Sequence, residues 1–290
     1  MKIKQILAST SVAASLAALS MMGVPATAAS QSIAYYISPP KVEGSYLSVG
    51  GDVTTENFDG VSCSTTWAMG TVTPGCTNHT PANYGGAVTE TATAVITTGA
   101  TATNFLTVSN GSPVTLNLTK ASKYIGFWWS AGDPNNTIDF YKGSTKLLTI
   151  TTADILAALS PATITSIGGS NYNTYEYYGN PNVAVATSPS DAANYEPFAY
   201  LHLVMTGGAS FDKIVMSQAA AGGGFELDNF LSKVSSPSID NSLVKLGQKP
   251  LDNPVQLANT GNEVNVFALG LAAISMLTGA GALALSRRKN

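Results

Sequence analysis

The stretch "PFAYLHLVM", residues 197–205, decides the fold because its side chains alternate without a break. Successive side chains of an extended chain point to opposite sides, so this stretch has two distinct faces. One face carries Phe198, Tyr200, His202 and Val204, and the other carries Ala199, Leu201, Leu203 and Met205. The alternation predicts a β-strand with an inner and an outer side.

A second stretch, "YIGFWWS" at residues 124–130, alternates in the same way. Shorter strand-like runs recur between turn formers such as "SAGDPNN" and "TGGAS". These runs lie at residues 33–37, 46–49, 56–58, 87–97, 104–108, 114–118, 137–141, 147–150, 211–217 and 225–230. Many short strands of this kind predict an all-β fold, an antiparallel jelly-roll-like β-sandwich over residues 29–232.

One segment departs from the strand pattern, "TTADILAALSP" at residues 151–161. Thr152 is a candidate N-cap, Asp154 falls in the first turn, and Pro161 follows the apolar residues. The segment therefore predicts one short helix, packed on an edge of the sandwich.

The N-terminus has the parts of a secretory signal peptide. Lys2 and Lys4 precede an apolar stretch at residues 6–24, and Ala26-Thr27-Ala28 is a small-residue cleavage site. We expect signal peptidase to remove residues 1–28 from an exported chain. The alternative is an N-terminal transmembrane helix.

The C-terminal part predicts a stalk followed by a membrane segment. Residues 233–256 are polar, contain three prolines and lack aromatic residues, which is typical of a flexible or semi-extended stalk. Residues 264–285 form an apolar run that is long enough to cross a hydrocarbon core of ~30 Å as a transmembrane helix. The basic tail at residues 286–290 would stay on the cytoplasmic side.

The motif between the stalk and the apolar run is Leu257-Ala258-Asn259-Thr260-Gly261. With the apolar run and the basic end, it resembles the sortase sorting signal (LPXTG-type) of surface proteins of Gram-positive-type bacteria. The resemblance implies cleavage between Thr260 and Gly261 and transfer of the Thr260 carboxyl to a cell-wall amine. Ala258 replaces the usual proline, which leaves the class of sortase open. The alternative is a permanent single-span anchor.

The exported part, before Gly261, is acidic. It carries nine lysines, no arginine and sixteen acidic residues. Binding to phosphate backbones needs basic stripes, so nucleic acid is excluded as an expected partner.

Cys63 and Cys76 are the two cysteines of the chain. An oxidising compartment favours a disulfide between them. A metal site is the alternative, but the nearby ligand would be His79 alone.

Three blocks of the domain resemble a family of bacterial surface proteins with a β-sandwich domain. The blocks are "YIGFWWSAGDPNNTIDFYKGSTKLLTITTADI", "EPFAYLHLVMTGGASFDKIVMS" and "GGFELDNF", within residues 55–232. Members of that family often carry an exosortase-dependent (PEP-CTERM-type) tail, which differs from the tail here. The resemblance implies an extracellular surface or matrix protein without an established enzymatic activity.

Acidic residues lie near both ends of the predicted domain, in "ENFDG" (residues 56–60) and "FELDNF" (residues 225–230). This resembles jelly-roll carbohydrate-binding modules, in which acids of the first and last strands meet at a structural Ca²⁺, an ion that prefers oxygen ligands. The resemblance implies Asp59 and Asp228 as ligands, with Glu56 and Glu226 behind them. The alternative is that these acids cap strands and accept hydrogen bonds from turn amides.

Aromatic residues cluster near Trp128 and in "NYNTYEYYGNPN", which contains Tyr172, Tyr175, Tyr177 and Tyr178. Exposed rings beside polar residues are typical of sugar-binding or protein-binding surfaces. The alternative is packing, because one of the adjacent Trp128 and Trp129 must point into the core.

No arrangement of residues typical of catalysis is found. His79 and His202 are the histidines, and His202 lies within a predicted strand as a satisfied sheet residue. The sequence therefore predicts a non-enzymatic protein of the bacterial cell wall or cell surface, with a role in adhesion, matrix contact or envelope structure. A surface-displayed carbohydrate-binding module is the alternative, followed by a glycan-active enzyme using paired carboxylates.

Overall fold

The computed structural model of this 290-residue chain describes residues 30–42, 52–56, 66–73, 76–79, 105–130, 132, 134–180, 184–219 and 224–254. The strands in chain order are β1 (Ser32–Ile37), β2 (Val53–Glu56), β3 (Thr66–Trp67), β4 (Gly70–Thr73), β5 (Cys76–His79), β6 (Phe105–Ser109), β7 (Val114–Ser122), β8 (Tyr124–Ser130), β9 (Asn136–Lys142), β10 (Thr145–Thr151), β11 (Thr163–Thr165), β12 (Asn171–Asn173), β13 (Gly179–Asn180), β14 (Ala184–Val185), β15 (Ala199–Thr206), β16 (Phe211–Gln218), β17 (Gly224–Lys233) and β18 (Val244–Pro250). The helices are α1 (Thr152–Ala158), α2 (Pro189–Ala192) and a 3-10 helix, Thr174–Tyr177.

Two antiparallel sheets dominate the described residues. The larger sheet has the order β18-β1-β15-β8-β17-β6-β5, with β2 also paired to β17. The smaller sheet has the order β10-β9-β16-β7-β4-β3. The predicted all-β, sandwich-like antiparallel fold is thereby confirmed.

The core lies between these sheets and follows the alternation read from the sequence. On β8, Ile125, Phe127 and Trp129 enter the main core, whereas Tyr124 and Trp128 belong to separate clusters on the outer face. On β15, Leu201 and Leu203 point inward. Aromatic contacts join the sheets: the ring of Trp67 on β3 lies 5.5 Å from that of Phe230 on β17, which stacks on Phe127 at 5.2 Å.

Residues 244–250, assigned to a stalk by the sequence, form the edge strand β18. It pairs antiparallel with β1, from Val244 opposite Ile37 to Pro250 opposite Ser32. Val244 and Leu251 are buried, at 3% and 6% exposure. The polar composition misled the prediction, because an edge strand needs only one ladder of backbone bonds and tolerates proline at its end. The stalk assignment is therefore wrong for this segment.

The predicted helix is present as α1, but its N-cap is Thr151 rather than Thr152. The Asp154 amide donates to Thr151 Oγ1 at 3.2 Å, and the Asp154 carboxylate accepts the Thr151 amide at 2.8 Å, which is a capping box. The helix packs against β10 and β18, the edge strands of the two sheets. An ion pair of 3.3 Å between Lys249 on β18 and Asp154 joins it to that edge.

The chain divides into two units, Met1–Val255 and Gln256–Asn290. The predicted signal peptide, sorting motif and 264–285 segment lie outside the described residues, as do the expected strands at 46–49 and 87–97. Within the described ranges, no helix is long and apolar enough to span a membrane.

Candidate functional site

The outer face of the larger sheet is covered rather than open, and it holds the ionisable residues of interest. Leu231 and Leu243 contribute to one apolar cluster on this face, and Trp128, Phe198 and Tyr200 form another. Polar side chains on the same face are also buried: His202, Asp228, Glu226 and Thr107 are each 8% exposed or less. On this buried face, an unpaired charge or an oxygen atom without a hydrogen bond therefore costs free energy.

His202, on β15, is fully buried and bonded at both ring nitrogens. Nε2 lies 2.9 Å from Ser38 Oγ, and Nδ1 lies 3.0 Å from Tyr124 Oη. Burial lowers the pKa of His202 to about 3 because the charged imidazolium is desolvated. The ring is thus neutral near neutral pH and serves as a hydrogen-bond bridge, without access to a substrate.

Next to His202, the hydroxyl of Tyr200 donates to the Asn229 carbonyl at 3.0 Å. Burial, reinforced by Tyr124 and Asp228, raises the pKa of Tyr200 well above its ordinary value. Asn229 has a φ of 47°, which lies in the left-handed region, at the point where the register of β17 against β8 shifts. This is a β-bulge, and it aims a backbone carbonyl at the tyrosine.

Asp228 and Glu226 lie on the outer face because Phe225 and Leu227, which alternate with them, lie in the main core. Asp228 is fully buried, and its Oδ1 accepts the Asn229 amide at 2.7 Å. That bond gives Asp228 a local role in fixing the bulge.

Glu226 is opposite Thr107 on β6 and opposite Ser130 on β8. Burial, then the charge of Glu196, raises the pKa of Glu226 to about 7, while the Ser130 hydroxyl donates to Glu226 and opposes the shift. Within the part of the chain that the structure describes, Glu226 Oε2 and Thr107 Oγ1 are buried without a hydrogen-bond partner. Two orphan oxygens and a second carboxylate therefore lie in one region.

Of the acids expected to hold calcium, Glu56 lies apart from Glu226 and Asp228, and the expected pairing of Asp59 with Asp228 stays a prediction. Glu56 pairs with Phe230, which points into the main core, so Glu56 lies on the opposite face of the sheet from Glu226 and Asp228. Its carboxylate accepts the Ala68 amide at 3.1 Å. Asp59 lies outside the described residues. Among the residues that are described, no group of three His, Cys, Asp or Glu could hold a metal ion.

Two of the predicted ring-stacking residues are unavailable to a ligand. Trp128 is 1% exposed and packs on Phe198, with ring centroids 5.6 Å apart, and Tyr177 is fully buried with its hydroxyl donating to the Ser38 carbonyl at 3.0 Å. The binding prediction is wrong for both, because Trp128 packs in an outer-face cluster and Tyr177 in the main core, where each ring buries more area than a ligand contact would. Trp129 is buried as well, in the main core.

Tyr172, Tyr175 and Tyr178 are half-buried, and Tyr172 and Tyr178 also pack against the main core. They lie on a segment that the 3-10 helix orders, with a capping box between Asn173 and Glu176. These three remain the candidates for ligand contact.

The predicted disulfide joins Cys63 and Cys76. Cys76 begins β5, whereas Cys63 lies outside the described residues. The pairing stays a prediction.

Sequence reasoning missed Glu196, Thr107 and Ser130. Glu196 and Ser130 fall within blocks quoted for the family resemblance, but nothing in those blocks singles them out, and Thr107 lies outside them. The relation of Thr107 and Ser130 to Glu226 depends on strand register. Register is set by long-range pairing and cannot be read from one strand.

No protein-family model matches the chain, and no curated protein is similar to it. Among solved structures, the chain is similar to the catalytic domain of a GH87 α-1,3-glucanase in complex with tetrasaccharides, at 13% identity and a TM-score of 0.33. The match covers 69% of this chain and 30% of that one, so it spans less than a third of the solved structure. A match this distant assigns no function to the chain.

Proposed function

We propose that this chain is a non-enzymatic cell-surface protein that a sortase joins to the cell wall at Thr260. Its jelly-roll-like sandwich would then serve adhesion, matrix contact or envelope structure outside the cell. The observation that supports a non-enzymatic role is the state of His202: both ring nitrogens are bonded and the ring has no exposed surface. The other buried polar groups of its network, Tyr124, Tyr200 and Asp228, likewise bond to one another or to the bulge.

The position of β18 changes what the proposal implies about display. Leu251 is buried, and the Asp252 and Asn253 amides donate to the Leu147 carbonyl at 2.8 and 3.4 Å, so three residues, 254–256, separate these contacts from the sorting motif at Leu257. Three residues span at most about 11 Å when fully extended. The proposed anchor would therefore join the sandwich through a short connecting segment, which suits envelope structure and short-range contact better than long-range reach.

Mass spectrometry of the mature C-terminus tests the anchoring. The expected result is a terminal peptide that ends at Thr260 and carries a wall-derived adduct. A Thr260→Ala variant should lose that peptide and keep Gly261–Asn290, whereas a Ser238→Ala variant in the exported domain should be processed normally. An intact Gly261–Asn290 tail in the wild type would contradict the proposal.

A surface-displayed carbohydrate-binding module is the second candidate. The observation that favours it is the partly exposed tyrosine group, Tyr172, Tyr175 and Tyr178, on one ordered segment. A glycan array with the purified full chain tests it, with Tyr175→Ala as the variant and Val234→Ala, which removes an exposed apolar side chain after β17, as the control. Loss of binding in the first variant alone would support this function, and no binding to any glycan would exclude it.

A glycan-cleaving activity is the third candidate, and the carboxylates of Glu226 and Glu196 are the observation that favours it. Glycosidases use one carboxyl group with a raised pKa as the acid and a second one as base or nucleophile. Turnover of a polysaccharide that disappears in Glu226→Gln would support the activity. No turnover of any polysaccharide in a panel would exclude it.

A further inference from the structure

We propose that Glu226, Glu196, Thr107 and Ser130 form a binding site for a divalent cation of the Ca²⁺ type on the outer face of the larger sheet. We call these four residues the Glu226 site. The site shares Glu226 with the set of acids expected from the sequence and differs from it in every other residue. It does not depend on how the chain is anchored.

Strand register builds the Glu226 site. Glu226 on β17 is directly opposite Thr107 on one side and Ser130 on the other. Directly opposite residues of antiparallel strands have Cβ atoms about 4.5–5.5 Å apart and share a face. Three oxygen-bearing side chains therefore lie in one row across β6, β17 and β8.

Two oxygen atoms in this row lack partners. Glu226 Oε2 and Thr107 Oγ1 are buried, in residues that are each 8% exposed, and neither has a hydrogen-bond partner within the described residues. Leaving such atoms unpaired costs about 1–3 kcal/mol each. An arrangement of unpaired oxygens on adjacent strands is stabilised by a positively charged ligand that contacts both.

A second acidic residue acts electrostatically on Glu226. This residue is Glu196, and within the described chain no lysine or arginine forms an ion pair with Glu226. Asp228, two residues along the same face, adds another carboxyl group. Like-charged carboxyl groups share either a proton or a cation, and a cation is the partner that satisfies the hydroxyl oxygens at the same time.

The backbone around Glu196 is held in place by hydrogen bonds. The Gly179 amide donates to the Glu196 carbonyl at 2.9 Å, and the Gly132 amide donates to the Pro197 carbonyl at 3.1 Å. Phe198, the next residue, donates its amide to the Tyr177 carbonyl at 2.8 Å. The second carboxylate is thus carried on a fixed segment beside the strand ends.

The donor set determines the class of cation. Carboxylate and hydroxyl oxygens are hard ligands, and the set contains no nitrogen or sulfur. Ca²⁺ accepts six to eight oxygen ligands in flexible geometry, whereas Mg²⁺ demands a near-ideal octahedron and keeps its water. An irregular row of side chains from three strands and one connecting segment suits Ca²⁺.

The test measures the melting temperature of the purified full-length protein, stripped with EDTA and then titrated with CaCl₂. At about pH 8 we expect Tm to rise by about 5–10 °C at a calcium concentration ~100-fold above Kd, and isothermal calorimetry to give one site per chain. At about pH 5, where Glu226 holds its proton, the shift should be largely lost because the ligand must be deprotonated.

Two variants and one control locate the site. Glu226→Gln should abolish the calcium shift. Glu196 is exposed, so the fold should tolerate Glu196→Gln, and this variant should weaken calcium binding at least tenfold. It tests the site independently of whether Glu226→Gln folds. Glu56→Gln, on the opposite face, should respond as the wild type does. No calcium shift in the wild type, an unchanged calcium affinity in Glu196→Gln, or a shift lost in Glu56→Gln would each overturn the proposal.

Discussion

Gly126 on β8 shows how one residue without a side chain makes room for a buried polar network. A Cβ at this position would overlap Tyr124 Oη and lie 2.8 Å from Tyr200 Cε1. Both tyrosines are fully buried or nearly so, and both take part in the network around His202. The glycine is therefore required by close approach of side chains, not by a turn.

We predict that Gly126→Ala lowers the free energy of unfolding by about 1–3 kcal/mol, the usual cost of overpacking a tight core. Urea denaturation followed by tryptophan fluorescence measures the change. Adding Tyr124→Phe, which removes the atom that the new Cβ overlaps, should make the double variant less destabilised than the sum of the two single changes. Additive effects, or a Gly126→Ala variant as stable as the wild type, would contradict this explanation.

At the scale of elements, β18 is the largest difference between the expected and the observed fold. It adds to the free edge of β1 and buries Val244, and its Lys249 pairs with Asp154 of α1. A flexible stalk would have none of these contacts, so its backbone amides would exchange with solvent within seconds.

We predict that the amides of residues 244–250 that bond to β1 are protected from hydrogen exchange nearly as well as those of β1 itself. Exchange read by mass spectrometry on peptides covering Ser32–Ile37 and Val244–Pro250 makes the comparison. Val244→Ala should lower protection of both peptides and cost about 1–2 kcal/mol, while Lys245→Ala, at an exposed position, should leave it unchanged. Full exchange of 244–250 at the shortest labelling time would contradict the edge strand and support a flexible stalk.

The contrast between β15 and β18 explains how far the sequence could predict the fold. β15 is buried on both faces, so its alternation of large apolar residues was evident. β18 lies at an edge and buries little, so its composition reads as a linker. The site divides in the same way. Glu226 was a candidate because the acids of "FELDNF" resemble those of jelly-roll modules, but Thr107, Ser130 and Glu196 reach it through register and tertiary packing. The N-cap moved by one residue because both Thr151 and Thr152 could serve.

At the scale of the whole molecule, His202 and Glu226 shift the pH dependence of stability in opposite senses. The pKa of His202 falls from 6.5 to about 3 on folding, so the unfolded chain gains a proton below pH 6.5 and stability falls as the pH decreases from 6.5 towards 3. The pKa of Glu226 rises from 4.5 to about 7, so the unfolded chain loses a proton first and stability falls as the pH increases from 4.5 to 7. Each contributes up to about 1.4 kcal/mol per pH unit, and the two slopes oppose each other between pH 4.5 and 6.5.

We therefore predict that Glu226→Gln changes the shape of the stability profile and not only its height. Glutamine has no charge at any pH, so in the variant only the His202 contribution remains. The wild type loses stability through Glu226 as the pH rises, so the variant's stability relative to that of the wild type should rise steadily from pH 4.5 to 7. Urea denaturation of both proteins in EDTA across that range measures the difference. Calcium should produce the same relative change in the wild type, at the alkaline end only, because a cation at the Glu226 site lowers the pKa of its carboxyl group. A constant difference between variant and wild type across the range would show that burial does not hold Glu226 in its protonated form, and the profile would then belong to His202 alone.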